Sequence, residues 1–101
     1  MATIELTRFR VEPEREQDLV HARDGMISDF VSDRDGFLGA SLVRLGAGEW
    51  LDVVIWSAPT DFAASREKGA NHPGIGAFFA AIAELVSMEE GEIVHSYGRQ
   101  T

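Results

Sequence analysis

Gly36 to Trp56 reads GFLGASLVRLGAGEWLDVVIW, two apolar, β-branched-rich runs divided at Gly46-Ala47-Gly48. Such runs on either side of a glycine break predict a β-hairpin, with strands over 37–45 and 49–56. The period of two puts Leu51, Val53 and Ile55 on one face of the second strand and Trp50, Asp52, Val54 and Trp56 on the other. Both faces are apolar, so helices can cover one and the other still needs a cover. An apolar patch of that size on a soluble chain points to a homodimer through the sheet faces.

Outward from the hairpin the pattern changes period. On its amino-terminal side, 3–11 reads as a strand in which Ile4 and Leu6 alternate before the apolar phase shifts to Phe9 and Val11. A shift of that kind predicts a bulge or a strand covered on both faces. Pro13, Glu14 and Glu16 then suit the positive end of a helix over about 13–33, with Leu19, Val20, Ala22, Met26, Ile27, Phe30 and Val31 on one broad face. On the carboxy-terminal side, Thr60 is the expected cap of a short helix ending near Gly69, and Asn71-His72-Pro73-Gly74 breaks the pattern. A helix over 76–86 with the stripe Ile75, Phe78, Phe79, Ile82, Leu85 and Val86 follows, and 92–97 is the expected last strand. The order β-α-β-β-α-β is that of an α+β, ferredoxin-like plait, a four-stranded antiparallel sheet with helices on one face.

Composition narrows the partners. The 101 residues suit one domain over 1–101, and the absence of cysteine removes disulfides, thiolate nucleophiles and Cys-based metal sites. Seventeen acidic against nine basic residues give a net charge of −8, and Lys68 is the one lysine. Phosphate backbones and anionic membranes need clustered cations, so nucleic acid and membrane are excluded as expected partners. No basic, apolar amino-terminal segment or membrane-length apolar run is visible, which predicts a cytoplasmic protein.

Thr7-Arg8-Phe9-Arg10-Val11 stands before Pro13, Gly36-Phe37-Leu38-Gly39 opens the second strand, Trp50 to Trp56 forms the third, and a broken helix carries Phe78-Phe79. In these features the chain resembles the antibiotic biosynthesis monooxygenase superfamily of dimeric α/β barrels. The resemblance spans about 3–97. It implies sheets paired face to face in a homodimer, and a pocket between sheet and helices in each protomer. Some members of the superfamily oxygenate aromatic polyketides or hydroquinones with O2 and need no metal or flavin, so no cofactor is expected here. The haem-degrading branch carries an Asn on the first strand, where this chain has Thr7, and a helical Trp, where this chain has Trp56 at a strand end. Haem chemistry is therefore disfavoured.

Five kinds of residue could carry chemistry. Arg23 falls inside the apolar face of the first helix, where a guanidinium must be paired or reach water. It anchors an anionic or phenolate oxygen in the pocket, pairs with a sheet carboxylate such as Asp52, or snorkels to the helix edge. His72, in the helix break, is the candidate base for a phenolic proton, or else a cap or surface histidine. Trp50 and Trp56 could stack on a flat ligand, or belong to core or interface. Asp52 could orient His72, pair with Arg23, or simply meet water at an edge. Phe78 and Phe79 are core residues, one of which could line the cavity. Two functions follow: a cofactor-independent monooxygenase for a small aromatic hydroxy compound or quinol, and a non-catalytic or stress-related dimer that binds a small hydrophobic molecule. An oligomerisation scaffold with a filled cavity is a third.

Overall fold

A computed structural model describes residues 1–98. The chain runs through β1 (Thr3–Arg10), a 3-10 turn (Pro13–Arg15), α1 (Glu16–Asp33), β2 (Phe37–Gly46), β3 (Glu49–Trp56), α2 (Pro59–Lys68), α3 (Pro73–Ala80) and β4 (Glu84–Glu92). The strands form one antiparallel sheet in the order β2-β3-β1-β4, the ferredoxin-like arrangement expected from the sequence. Among the described residues, no helix is long and apolar enough to cross a membrane.

The hairpin divides its faces as its alternation requires. Trp50, Asp52, Val54 and Trp56 are buried towards the helices, while Leu51, Val53 and Ile55 are half-buried on the open side. Strand β1 is inverted relative to that pattern. Its helix-facing side chains are Thr3, Glu5, Thr7 and Phe9, and its apolar Ile4 and Leu6 sit on the open face beside Ile55 and Val53. The expected irregularity lies between Arg8 and Phe9, where pairing with β4 skips Val86, while the pairing with β3 runs without a slip.

The missing side chain of Gly74 lets two helices approach closely. Helix α3 crosses α1 at Gly25 and Gly74, where a Cβ on Gly74 would overlap the Gly25 carbonyl oxygen. The Asp29 carboxylate accepts hydrogen bonds from the backbone N–H groups of Gly74 (2.8 Å) and Ile75 (3.3 Å), which caps the start of α3 from its neighbour. Beneath them Trp56 stacks on Phe62 with centroids 6.2 Å apart and meets Phe30 at 5.7 Å. Aromatic pairs of this kind add about 0.5–1.5 kcal/mol each beyond area burial.

Three expected boundaries are corrected. Helix α3 stops at Ala80, not at residue 86, and the last strand is Glu84–Glu92, not 92–97. The reason is backbone pairing: the Ala83 N–H donates to the Arg10 carbonyl at 2.8 Å, and from there the chain matches the whole of β1. Leu85 and Val86 fit a helical stripe by spacing, but β1 would have lost a row of partners had the helix continued. Glu89, Glu90 and Glu92 lie along this edge strand, where charge opposes edge-to-edge pairing. At α2 the cap position is Ala58 followed by Pro59, not Thr60.

Candidate active site

The inversion of β1 places polar groups where a core would normally continue. Between the sheet and the helices lies a cavity of about 190 Å³. Val54, Met26, Phe30, Phe62 and Ile75 give it apolar walls, and Glu5, Thr7, Asp52, Ser65, Arg34 and Arg66 supply the polar groups. Its mouth lies between α3 and β4, where Phe79 (43% exposed), Leu85 (58%) and Met88 (49%) line the cavity and also meet solvent. Every residue of β4 is exposed, so the cavity opens along that strand.

Arg23 reaches the wall from α1. Its Nη2 lies 2.7 Å from Asp52 Oδ1, and both residues are buried, at 9% and 5% exposure. Those two atoms have charge contact without a well-aligned hydrogen bond. The guanidinium also lies over the Phe78 ring at 5.1 Å from its centroid and donates from Nη1 to the Met26 sulfur at 3.5 Å. Desolvation raises the Asp52 carboxyl above its ordinary pKa, and the Arg23 guanidinium acts in the opposite direction.

Glu5 is the functional candidate that sequence reasoning missed. It lines the cavity, and the buried Trp56 Nε1–H donates to its Oε1 at 3.1 Å. Burial raises its pKa, and the Asp52 charge adds to that. The Trp56 hydrogen bond, Arg66 and Arg23 oppose it. The available signal was the alternation Thr3-Glu5-Thr7-Phe9 ending on an aromatic residue, which places Glu5 on the same face as buried Phe9. Attention to Ile4 and Leu6 hides it.

The remaining sequence candidates separate. His72 is the residue before α3, and its Nε2 lies 3.2 Å from Asp33 Oδ2 outside the cavity lining. Trp50 is core, donating from Nε1 to Glu16 Oε2 at 3.1 Å. Trp56 and Phe78 are core as well, and of the aromatic candidates Phe79 reaches the cavity. The structure thus puts Asp52 and Phe79 on the cavity, pairs Arg23, outside the lining, with Asp52, and leaves His72 at a separate cluster. Among the described residues, no group of three or more His, Cys, Asp or Glu is placed to hold a metal ion.

That separate cluster closes one end of the cavity. Arg34, buried after α1, donates from Nε to Ser65 Oγ (2.7 Å), from Nη1 to Asp33 Oδ2 (2.7 Å) and Asn71 Oδ1 (2.9 Å), and from Nη2 to the Gly69 carbonyl (2.6 Å). Asp33 also accepts from Asn71 Nδ2 and Lys68 Nζ. Asn71, then Lys68 and His72, hold its carboxyl well below the usual range, at about 2. The ends of α1 and α2 and the loop before α3 are tied at this point.

No protein-family profile matches the chain, and no curated protein matches it. Solved structures do. SnoaB, a cofactor-independent oxygenase from Streptomyces nogalater, superposes with a TM-score of 0.65 at 19% identity, covering 99% of this chain and 95% of that one. A protein from Bordetella bronchiseptica, provisionally described as an antibiotic biosynthesis monooxygenase, gives 0.71 at 20% identity over 93% and 98% of the two chains. One from Caulobacter crescentus with the same provisional description gives 0.72 at 12% identity over 93% and 91%. The fold is the one these monooxygenase-type proteins share, as the resemblance in the sequence implied.

Proposed function

We propose that the cavity binds a small aromatic hydroxy compound or quinol and promotes its oxygenation by O2, without a cofactor. The observation that carries this reading is the cavity itself: an apolar chamber with a solvent-open mouth and two desolvated carboxylates on its sheet wall. At about 190 Å³ it exceeds the ~150 Å³ cavity that holds a benzene ring, so one aromatic ring fits. Removing the hydroxyl proton makes the ring electron-rich enough to meet O2 directly. The protein then contributes desolvation, orientation and charge. The fold shared with SnoaB supports the reading as an analogy.

The functional roles follow from placement. Arg23 acts on the cavity through Asp52, keeping that carboxylate paired, and Phe79 with the apolar walls holds the ring. The open face of the sheet, with Ile4, Leu6, Leu51, Val53 and Ile55, suits a second copy of the chain, so the working unit is a homodimer. Light scattering at the mass of two chains supports that unit, and a stable monomer opposes it.

Oxygen consumption with a panel of hydroquinones and anthrones in metal-free buffer tests the activity. Substrate-dependent uptake is expected, and none across the panel overturns it. The second reading, a binding protein without turnover, is favoured by one feature, the engagement of Arg23 with Asp52 instead of with open space. Tight retention of a phenol without oxygen uptake selects it.

A further inference from the structure

Three carboxylates lie in or beside the cavity region, and they are not equivalent. Asp52 is neutralised by Arg23 at 2.7 Å, and Asp33 belongs to the cluster around Arg34. Glu5 lines the cavity yet has no ion-pair partner among the described residues. Its one hydrogen bond to a side chain comes from the neutral indole N–H of Trp56, which fixes Oε1 and leaves the other oxygen outside that bond. A glutamine would satisfy that indole equally well without the cost of burying charge. The carboxylate is thus not needed for packing.

We propose that Glu5 is the general base of the cavity, taking the hydroxyl proton of the bound aromatic. This rests on the oxygenase reading and names the proton acceptor that reading requires. The substrate O–H bond breaks and a Glu5 Oε–H bond forms. The pair of electrons stays on the substrate oxygen as a phenolate, and total charge in the cavity is unchanged. Asp52 is unsuited to the step, because protonating it would strand the Arg23 guanidinium.

The surroundings favour a carboxylate that accepts a proton readily. Asp52 faces Glu5 from β3 and raises its proton affinity when charged, and Glu90 stands in register with it on β4. Arg66 on α2 and Arg23 on α1 act the other way, and Arg34 also lines the chamber. From α3 the lining residues are Ile75 and Phe79, which do not titrate. Burial is the largest influence, and it raises the Glu5 pKa above the ordinary glutamate value, the direction that makes a carboxylate a better base.

Two readouts on the intact protein test the assignment. The first is oxygen uptake by Glu5→Gln, with the pH profile. A loss of about 10²–10⁴-fold with disappearance of the acid limb is expected, with Glu5→Asp restoring part of the rate. The second needs no turnover: absorbance of bound 4-nitrophenol, whose phenolate is yellow. Wild type is expected to show phenolate below the pH where the free compound ionises, and Glu5→Gln to bind the same compound in its neutral form. A phenolate band that depends on Glu5 without any oxygen uptake would retain the base and remove the oxygenase reading. Uptake unaffected by Glu5→Gln overturns the base, as does uptake abolished by His72→Ala but not by Glu5→Gln. So does a bound nitrophenol that stays neutral in wild type. A melting temperature no lower than wild type shows that the Glu5→Gln variant is folded.

Discussion

One carboxylate beside the cavity and two on its sheet wall are held in opposite electrostatic conditions. Asp33 is surrounded by donors from Arg34, Lys68, Asn71 and His72, and its pKa is down at about 2. Glu5 and Asp52 are on the sheet wall, where desolvation raises both. The first arrangement ties helix ends together and gains stability from its charge. The second keeps carboxylates where charge is disfavoured, which opposes folding and suits proton transfer. Function is therefore sought at the sheet wall, and the Asp33 cluster is read as scaffolding.

The strongest way to break this contrast is at the buried ion pair. Asp52→Ala leaves the Arg23 guanidinium buried without its partner, a change that costs about 3–5 kcal/mol. Urea unfolding should show that loss, while the double variant Arg23→Met/Asp52→Leu recovers most of it. Recovery failing in the double variant would mean that packing around Phe78 and Met26, and not charge, dominates at this point. Next in size is Arg34→Ala. It removes four hydrogen bonds that join α1, α2 and the loop before α3. A loss of about 2–3 kcal/mol is expected from the groups left unpaired, with hydrogen exchange accelerated first in 69–72.

The scaffold end has its own pH signature. Asp33 has its folded pKa lowered from 3.8 to about 2, so the stability it adds is complete above 3.8 and is lost as pH falls towards 2. Asp33→Asn should flatten the stability profile over that acid window and lower stability modestly at neutral pH. An unchanged acid limb would remove Asp33 from the account. The smallest effect has the opposite sign. Glu5 has a raised folded pKa, so its favourable contribution is complete below the ordinary glutamate range and is lost as pH rises through the folded value. Glu5→Gln imitates the protonated form and should melt slightly higher than wild type at neutral pH, with the two curves converging in acid. A lower melting temperature at neutral pH would instead make Glu5 a structural carboxylate.

Much of the architecture was readable along the chain because it depends on local periodicity. The 37–56 hairpin, α1 from the turn after Pro13 to Asp33, and the burial of Arg23 on its apolar face follow from periods of two and 3.6 together with glycine and proline positions. The carboxy-terminal third was misread, since Leu85, Val86 and Met88 suit a helix stripe and a strand alike. Pairing with β1, a partner more than seventy residues away, resolves the ambiguity. The site was partly legible. Arg23 and Asp52 were visible as polar residues on apolar faces, and they pair in the structure. Glu5 was not, because β1 carries its apolar residues on the open face.

Residue order alone established an acidic, cysteine-free chain, a β-α-β-β-α-β succession and one misplaced guanidinium. Those are properties of composition and of short-range spacing. Which carboxylates meet in a cavity, and which histidine is left outside it, depends on strand register and on helix crossing at Gly25 and Gly74. Such contacts join residues tens of positions apart, and their energies arise from desolvation and packing that exist only once the layers have closed.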